Sequence, residues 1–523
     1  MKKQALAVLM ILVLALTLCS CSNGKDSSLP TIQQPVTINA QIDEQGQGFL
    51  FLEKGEVIDI GADVKQAVFT ANREHIVILT DNGTLQVATA DLKNKKDIAD
   101  DVSAILYVRD NGFFFTTNDL GMSRFMFGNE ELLKIDRAST VPVTLDRGNS
   151  LDILYGDGKD LFLLRESENK PEKVYSCSGQ VWPVYQISDL DTSLWIEEEK
   201  QGEYAMKMSR GGDVETLYSF TLSTWSGLHQ EYVGSKDGKV GILLDHDGRT
   251  TLVIGEDSDP VRISTGNSAP FMETMIYSQK GAVETSESSE IETMYIAVPE
   301  EAVASQGFML YAFSKDGDSE KMLDNVKEYM IYDGQIIYLD TDGELHQGTL
   351  NGYEIENDSR IAKDVDGMSS KGAYLYYVSN VDYGASTGDL YGMKVGDKEG
   401  VKISSDVSCR CYFESTAYLQ TEYSHDGSAV FFYKDFDEET SAGALHAWDY
   451  KSQKRIKIDD DVIVNSLVNG GTGPVTNGVT YEVYDSTSKD NTVIVSRAYY
   501  DGKSPKVLKE DLIHQLYYSP FEP

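Results

Sequence analysis

The chain contains seven histidines, but their spacing forms no catalytic or metal-binding motif. No pair has the HExxH spacing that places two zinc ligands on one helical face, and no GxSxG segment supplies an exposed nucleophilic serine. His246 and His425 each precede an Asp-Gly pair, which is a hairpin-turn signal more often than a catalytic pair. The sequence therefore predicts no catalytic residue and no cofactor.

Two Asp-x-Asp-Gly segments have carboxylates at alternate positions, as the start of a calcium-binding loop does. They are Asp245 to Gly248 and Asp340 to Gly343. Neither has a third acidic residue before the glycine, nor the bidentate glutamate that ends an EF-hand loop. We therefore expect tight turns here and no metal site.

Cysteine chemistry is limited by number and spacing. Beyond the first 21 residues the chain has only Cys177, Cys409 and Cys411. Cys409 and Cys411 are two apart in a predicted strand, so their side chains share a face and a disulfide between them would be strained. Two ligands also do not complete a zinc site. We expect buried or half-buried thiols.

The start of the chain has the layout of an export signal. Two lysines precede an apolar run from Ala5 to Leu18, which is too short to span a bilayer comfortably. The run ends Leu18-Cys19-Ser20-Cys21, with a branched apolar residue three positions before Cys21 and a small residue directly before it. This segment resembles the lipobox of bacterial lipoproteins. The resemblance implies cleavage between Ser20 and Cys21 and attachment of lipid to Cys21.

Residues 22–36 are rich in Ser, Gly and Pro and have the composition of a flexible tether. We therefore divide the chain into a lipoprotein signal peptide (1–20), a lipidated tether (21–37) and a folded repeat domain (38–523). The predicted location is extracytoplasmic, with the protein anchored to the cell membrane by lipid on Cys21.

The charge balance excludes some partners. Acidic residues exceed basic ones by 38, and loss of the two signal-peptide lysines would raise this excess to 40. A field of this sign repels nucleic acid phosphates and anionic lipid head groups, so neither is an expected partner. We attribute the acidity to solubility outside the cell.

The folded part shows the pattern of antiparallel hairpins. Short runs rich in Val, Ile, Tyr and Phe alternate with Asp, Asn and Gly, and no long segment has helical periodicity. Three hairpins share one layout: 75–87, 240–253 and 335–346. A second sequence marker follows these hairpins: an aliphatic residue, any two residues, Asp, and then Val or Leu. Adjacent copies lie 38, 39, 42, 55 and 50 residues apart.

A period near 40 with four strands per unit is typical of propeller blades. We therefore predict an all-β, β-propeller-like fold of repeated four-stranded antiparallel blades, nine or ten in number, in one large or two smaller rings. The strands between Gly48 and Ile60 lack a unit of their own, so we expect them to meet the last unit, near Leu512, and close the ring. The Asp-x-Asp-Gly turns resemble those of TolB-like and related bacterial propellers.

The predicted fold class is the only basis for a hypothesis about function. Tyrosines outnumber phenylalanines 30 to 18, and Tyr374 to Tyr377 and Tyr517-Tyr518 form clusters. Such tyrosines can stack on sugars or peptides, but tyrosine also suits half-buried strands, which we favour. The main hypothesis is a non-enzymatic binding or assembly module for an envelope protein, peptide or glycan. The alternative is an extracytoplasmic metal-assisted hydrolase or lyase with its site in the propeller channel.

Overall fold

The structure, a computed structural model, describes residues 37–515 apart from short internal stretches. The residues left out between these limits are 44–46, 53–56, 71, 73, 90, 120, 136–142, 145–150, 188–191, 222–229, 236–239, 246–248, 255–260, 265–275, 284–285, 300–306, 315–317, 413–415, 425, 438–439, 465–467, 470–477, 485–493 and 501–503.

The described residues form 44 β-strands, one 3-10 turn at Ser288–Glu290 and no α-helix. The first half contains β1 (Thr37–Asp43), β2 (Gln47–Leu52), β3 (Val57–Ala62), β4 (Val64–Phe69), β5 (His75–Thr80), β6 (Leu85–Thr89), β7 (Lys96–Ala99), β8 (Val102–Val108), β9 (Gly112–Thr117), β10 (Met122–Met126), β11 (Glu131–Ile135), β12 (Val143–Thr144), β13 (Ile153–Asp157), β14 (Asp160–Leu164), β15 (Glu172–Ser176), β16 (Val181–Ile187), β17 (Thr192–Lys200), β18 (Glu203–Arg210), β19 (Asp213–Thr221), β20 (Gln230–Gly234), β21 (Val240–Asp245), β22 (Arg249–Ile254) and β23 (Val261–Ser264).

The second half contains β24 (Tyr277–Ser278), β25 (Gly281–Ala282), β26 (Thr293–Pro299), β27 (Phe308–Ser314), β28 (Ser319–Tyr332), β29 (Gln335–Asp340), β30 (Leu345–Asn351), β31 (Glu354–Ala362), β32 (Val365–Lys371), β33 (Tyr374–Asp382), β34 (Thr387–Lys394), β35 (Val401–Tyr412), β36 (Thr416–Leu419), β37 (Thr421–Tyr423), β38 (Ala429–Asp437), β39 (Ala442–Asp449), β40 (Lys454–Ile463), β41 (Val468–Asn469), β42 (Gly478–Tyr484), β43 (Ile494–Tyr500) and β44 (Lys506–Gln515). Among the residues that the structure describes, no helix is long and apolar enough to cross a membrane.

The strands pair in antiparallel sheets of consecutive strands, which confirms the all-β class. Five sheets have four strands each: β4–β7, β8–β11, β12–β15, β16–β19 and β20–β23. A sixth sheet joins eight strands from β24 to β31, and a seventh joins sixteen strands from β32 to β44 together with β1–β3. The larger sheets arise because long strands serve two neighbours. The first part of β28 pairs with β27 and its second part with β29.

The two ends of the described chain meet in one sheet. Gln41 and Ile42 of β1 pair with Gln515 and His514 of β44, and β2 and β3 extend the sheet on the other side of β1. The strands between Gly48 and Ile60 share a sheet with the last described strand, but they do not pair with it directly, because β1 lies between β2 and β44. The sequence did not reveal β1, which begins at Thr37, one residue before the predicted boundary of the folded part.

Successive sheets bury both of their faces against one another. In β9, Phe113 and Phe115 pack in a core with strands β4–β6, whereas Phe114 between them packs against β13 and β14. The next sheet repeats this alternation, since Ile153 packs with Phe114 and Leu154 packs with Trp195. Alternate residues of a strand point to opposite faces, so a strand buried on both sides needs an unbroken apolar run.

The aliphatic-x-x-Asp-Val marker forms the same backbone corner in several places, and this corner is called a joint below. Its fourth residue is left-handed, with φ between 55° and 59°, at Asp63, Asp101, Asn325, Asp364, Asp406 and Asp461. Asp and Asn tolerate this conformation better than other residues with a side chain. The pairing register shifts just after several of these residues, between Val64 and Gln66 for example. After each such joint the chain pairs with strands that follow it, such as β5 after Asp63 and β9 after Asp101.

The joint also contacts the hairpin turn of the preceding strands. The backbone N–H of Val102 donates to the carbonyl oxygen of Gly83 at 2.9 Å, and that of Val365 donates to Gly343 at 3.0 Å. Both glycines have positive φ, 86° and 79°, and each is the last residue of a three-residue hairpin loop, a position that favours a left-handed residue. The two repeated sequence signals therefore meet in space, and together they hold the Asp340–Gly343 turn in place.

Candidate functional site

Several residues singled out from the sequence lie outside the described part of the chain. These are Ser20, Cys21 and the rest of the predicted signal and tether up to residue 36, His246 and His425 in the two His-Asp-Gly segments, and Tyr517 and Tyr518. The predictions of signal cleavage at Ser20 and Cys21 and of lipid attachment at Cys21 remain predictions.

The cysteines have the buried character expected of them. Cys177 is a free buried thiol, and burial together with the neighbouring Glu197 carboxylate raises its pKa. Cys409 is also buried, and its thiol donates to the carbonyl oxygen of Val407 at 3.4 Å. Cys411 lies in β35 opposite Ala417, and its side chain is outside the described part. Thiolate chemistry is thus disfavoured at Cys177.

The described tyrosines of the central cluster serve the sheet core, as we favoured. Tyr376 and Tyr377 are buried in β33, and Tyr376 donates to the carbonyl oxygen of Gly427 at 2.7 Å. The rings of Tyr377 and Tyr391 stack across neighbouring strands at 5.1 Å. Aromatic pairs of this kind stabilise a sheet.

The turn from Asp340 to Gly343 is a tight hairpin turn, as predicted. Asp340 Oδ1 accepts hydrogen bonds from the backbone N–H groups of Asp342 at 3.0 Å and Glu344 at 2.8 Å. The Gly343 N–H donates to the Asp340 carbonyl oxygen at 3.2 Å. One carboxylate oxygen of Asp340 is therefore used to cap the turn.

The same hairpin gathers the best metal-ligand geometry in the described part of the chain. One donor atom from each of Asp340, Glu344 and His346 lies within 4.8 Å of the other two, and all three side chains are half-buried. His346 Nε2 is 3.6 Å from Glu344 Oε2. Two carboxylates and one imidazole nitrogen are a ligand set that divalent transition metals accept.

Three further side chains surround this cluster. The Tyr338 ring stacks on His346 with centroids 5.0 Å apart, and its hydroxyl donates to Asp358 Oδ2 at 2.8 Å. His346 Nδ1 is buried and lies 3.3 Å from Asp358 Oδ1, but at an angle that makes no hydrogen bond. Arg360 donates to Glu344 Oε1. The imidazole is thus held between a ring and carboxylates on both sides.

Sequence reasoning missed this cluster because it compared the segment with a calcium loop. The ligand-type residues are not Asp340 and Asp342 but Asp340, Glu344 and His346. In a hairpin, residues two apart on one strand share a face with their partners on the other strand. The spacing Asp-x-x-x-Glu-x-His across a Gly-containing turn was therefore the signal that could have found it.

A second polar group lies where consecutive sheets approach. Glu328 in β28 is half-buried, and its Oε2 accepts the Met368 N–H of β32 at 2.9 Å. Burial raises the pKa of Glu328 to about 7. A Cβ on Gly367 would come within 2.2 Å of the Ala417 carbonyl oxygen of β36 and 3.7 Å of Glu328 Oε1. A carboxyl group of this kind can hold or release a proton near neutral pH.

Comparison with known proteins gives only remote structural alignments. No protein-family model matches the chain, and no curated protein matches its sequence. A eukaryotic initiation factor aligns with 94% of this chain and 99% of its own, at 9% identity and a TM-score of 0.42. The tricorn protease aligns with 92% of this chain and 59% of its own, at 10% identity and 0.26. PorZ, a surface component of the type-IX secretion system of Porphyromonas gingivalis, aligns with 89% and 66%, at 10% and 0.25. These values say nothing about activity or partners.

Proposed function

We propose that the chain is a lipid-anchored, extracytoplasmic β-propeller that acts as a non-enzymatic binding or assembly module. The observation that carries the fold part is the pairing of β1 with β44, which places the first and last strands in one sheet. The five separate four-stranded sheets each have the strand number expected of one blade. A ring held shut by its own terminal strands is a rigid support for binding loops.

The closure is tested by a crosslink between its two strands. Directly opposed residues of antiparallel strands have Cα atoms about 4.5–5.5 Å apart, which suits a disulfide. The double variant Gln41→Cys/Gln515→Cys should therefore crosslink under mild oxidation and run as a compact species on a non-reducing gel. Gln41→Cys alone is the control. Failure of the pair to crosslink in the folded protein would contradict closure by these strands.

The membrane anchor is tested with two cysteine variants. Cys21→Ala should abolish fatty-acid labelling and release the protein from the membrane fraction, because the lipid is attached to that residue. Cys19→Ala changes the neighbouring cysteine and keeps the small residue Ser20 in place, so labelling should persist. Labelling of the Cys21→Ala variant would remove the lipoprotein assignment.

The binding function is tested by affinity capture from the envelope of the source organism, with residues 38–523 as bait. A stoichiometric protein, peptide or glycan that survives competition with an unrelated protein of similar net charge would support a binding module. Capture of material by charge alone, with the bait shown to be folded, would count against it. The comparison is needed because a net charge of −38 attracts basic molecules without specificity.

The enzymatic alternative has one observation in its favour, the raised pKa of Glu328 where strands β28, β32 and β36 of two sheets meet. A carboxyl group with a pKa near 7 suits general acid–base catalysis. A hydrolase screen of the unaltered protein and of Glu328→Gln would separate the two functions. Turnover that disappears in Glu328→Gln would favour the enzyme over the binding module.

A further inference from the structure

We propose that Asp340, Glu344 and His346 bind a divalent transition-metal ion of the zinc class. The ligands would be one carboxylate oxygen from each acid and one imidazole nitrogen, with water in the remaining position, as three-ligand zinc sites have. This metal site lies beyond the proposed binding function and does not depend on the number of blades or on the membrane anchor.

The strand register brings the three side chains to one face. Tyr338 of β29 pairs with His346 of β30, so residues two positions away on either strand lie on the same face. Asp340 is two residues after Tyr338, and Glu344 is two residues before His346. The hairpin therefore converts a local sequence spacing into three converging donors.

A sister hairpin in the same chain shows that the turn does not need these donors. Residues 75–86 align with 335–346, and Leu79 pairs with Leu85 just as Leu339 pairs with Leu345. The positions of Asp340, Glu344 and His346 are occupied there by Thr80, Thr84 and Gln86.

The sister turn makes the same backbone hydrogen bonds. The Gly83 N–H donates to the Thr80 carbonyl oxygen at 2.9 Å, and Thr80 Oγ1 accepts the Thr84 N–H at 3.1 Å. The Thr80 hydroxyl thus caps this turn, just as the Asp340 carboxylate caps the turn of the 335–346 hairpin. The second carboxylate and the imidazole of the 335–346 hairpin are therefore additions that the fold does not require.

The distances between the three donor atoms are close to those between the ligand atoms around a bound metal ion. Donors of a tetrahedral site with bonds of about 2.1 Å lie roughly 3.4 Å apart. The separation of His346 Nε2 and Glu344 Oε2 is 3.6 Å, and the whole set lies within 4.8 Å. Small side-chain rotations therefore suffice to close the site.

The surroundings fit a metal-binding imidazole. Metal-ligating histidines nearly always present their second ring nitrogen to a carboxylate or carbonyl group, which orients the ring. Asp358 Oδ1 lies 3.3 Å from His346 Nδ1, and Asp358 is itself held by the Tyr338 hydroxyl. With Nδ1 facing Asp358, Nε2 is the ligand, and it faces Glu344.

The donor set also selects the ion. Calcium takes six to eight oxygen ligands, and an imidazole is not among its preferred donors. Imidazole with carboxylates suits zinc and its neighbours in the first transition series. Arg360 shares Glu344 and so competes electrostatically with a bound cation, which favours an ion with strong covalent preference for nitrogen over a simple ionic one.

The test is calorimetric titration of Zn²⁺ into the full chain, extracted in detergent, carrying no histidine tag and freed of metal with a chelator. We expect one Zn²⁺ per chain and a much weaker response to Ca²⁺. The variant Asp340→Thr/Glu344→Thr/His346→Gln, which copies the sister hairpin and should fold for that reason, is expected to lose this binding. Asp342→Asn removes a charge from the same turn without touching the cluster and should bind as the unaltered chain does.

Two further variants sharpen the result. Asp358→Asn should weaken Zn²⁺ binding by about 10- to 100-fold, the usual effect of removing a carboxylate that orients a ligating histidine. The reciprocal variant Thr80→Asp/Thr84→Glu/Gln86→His should add a second Zn²⁺ site. Absence of Zn²⁺ binding by the unaltered chain, unchanged binding by the triple 340/344/346 variant, or preference for Ca²⁺ would each overturn the proposal.

Discussion

Lys207→Met is expected to destabilise the β16–β19 sheet by about 3–5 kcal/mol, because it breaks a buried ion pair from one side. Lys207 Nζ lies 2.8 Å from Glu197 Oε1, and the two side chains are 11% and 2% exposed. Burial has the largest single effect and raises the pKa of Glu197, but the hydrogen bonds from Lys207, Cys177 and Ser178 and the charge of Lys207 together outweigh it and lower the pKa. Without Lys207 the carboxylate stays buried, with Ser178 Oγ donating at 3.0 Å.

The sign of the pH dependence follows from the same contacts. In Lys207→Met the pKa of Glu197 should rise, because burial is then offset only by the hydrogen bonds from Cys177 and Ser178. The stability lost in Lys207→Met is therefore largest at about pH 8, where Glu197 is ionised. The loss shrinks as pH falls to about 5, because the carboxylate takes up a proton. The double variant Glu197→Gln/Lys207→Met should lose less than Lys207→Met alone.

The assay is urea unfolding followed by tryptophan fluorescence, with Trp195 as a reporter in the same strand as Glu197. Lys200→Met is the matched control, because the Lys200–Glu203 pair joins the same two strands but is 76% and 53% exposed. An exposed pair contributes about 0–1 kcal/mol. A loss in Lys207→Met no larger than in Lys200→Met, or no recovery in the double variant, would refute the reasoning.

Three other predictions concern single side chains. Burial raises the pKa of Glu328 to about 7, from an ordinary value of 4.5, so the free energy of unfolding should fall by up to about 3 kcal/mol as pH rises between these two values. Glu328→Gln should remove this pH dependence when unfolding is measured against pH. An unchanged pH dependence in the variant would contradict the prediction. Asp101, at φ 59°, should accept glycine but lose about 1–2 kcal/mol with valine, and equal unfolding midpoints for the two variants would disprove strain at this joint. Cys177 should react with a maleimide only in denaturant, because it is buried and its pKa is raised; rapid labelling of the native protein at Cys177 would contradict this.

Turn chemistry was the most predictable part of this protein. The Asp-x-Asp-Gly segment at Asp340 forms the tight turn expected of it, and the Asp-Val marker at Asp364, which was recognised only as a repeat, forms a left-handed joint. These features depend on the backbone preferences of Gly, Asp and Asn, which act over a few residues. Sequence alone was sufficient for them because no distant contact is needed to specify a left-handed residue.

The Asp340–Glu344–His346 cluster was less predictable, although its residues are close in sequence. It depends on the register of two strands, and a shift of one residue would send His346 to the opposite face. The register is fixed in turn by Gly343 in the turn and by its contact with Val365, 22 residues farther along the chain. Asp358, which faces His346, enters from a third strand that only the folded sheet brings close.

The sequence by itself determined the all-β class and the position of many hairpins, because period-two patterning and turn residues are local properties. The tertiary structure decided which strands share a sheet and which face each side chain occupies. Long strands such as β28 join sheets that the sequence presents as separate units, and β44 pairs with β1 across almost the whole chain. Burial of both faces of sheets such as β8–β11 and β12–β15 sets those arrangements, and only the assembled molecule can satisfy that requirement.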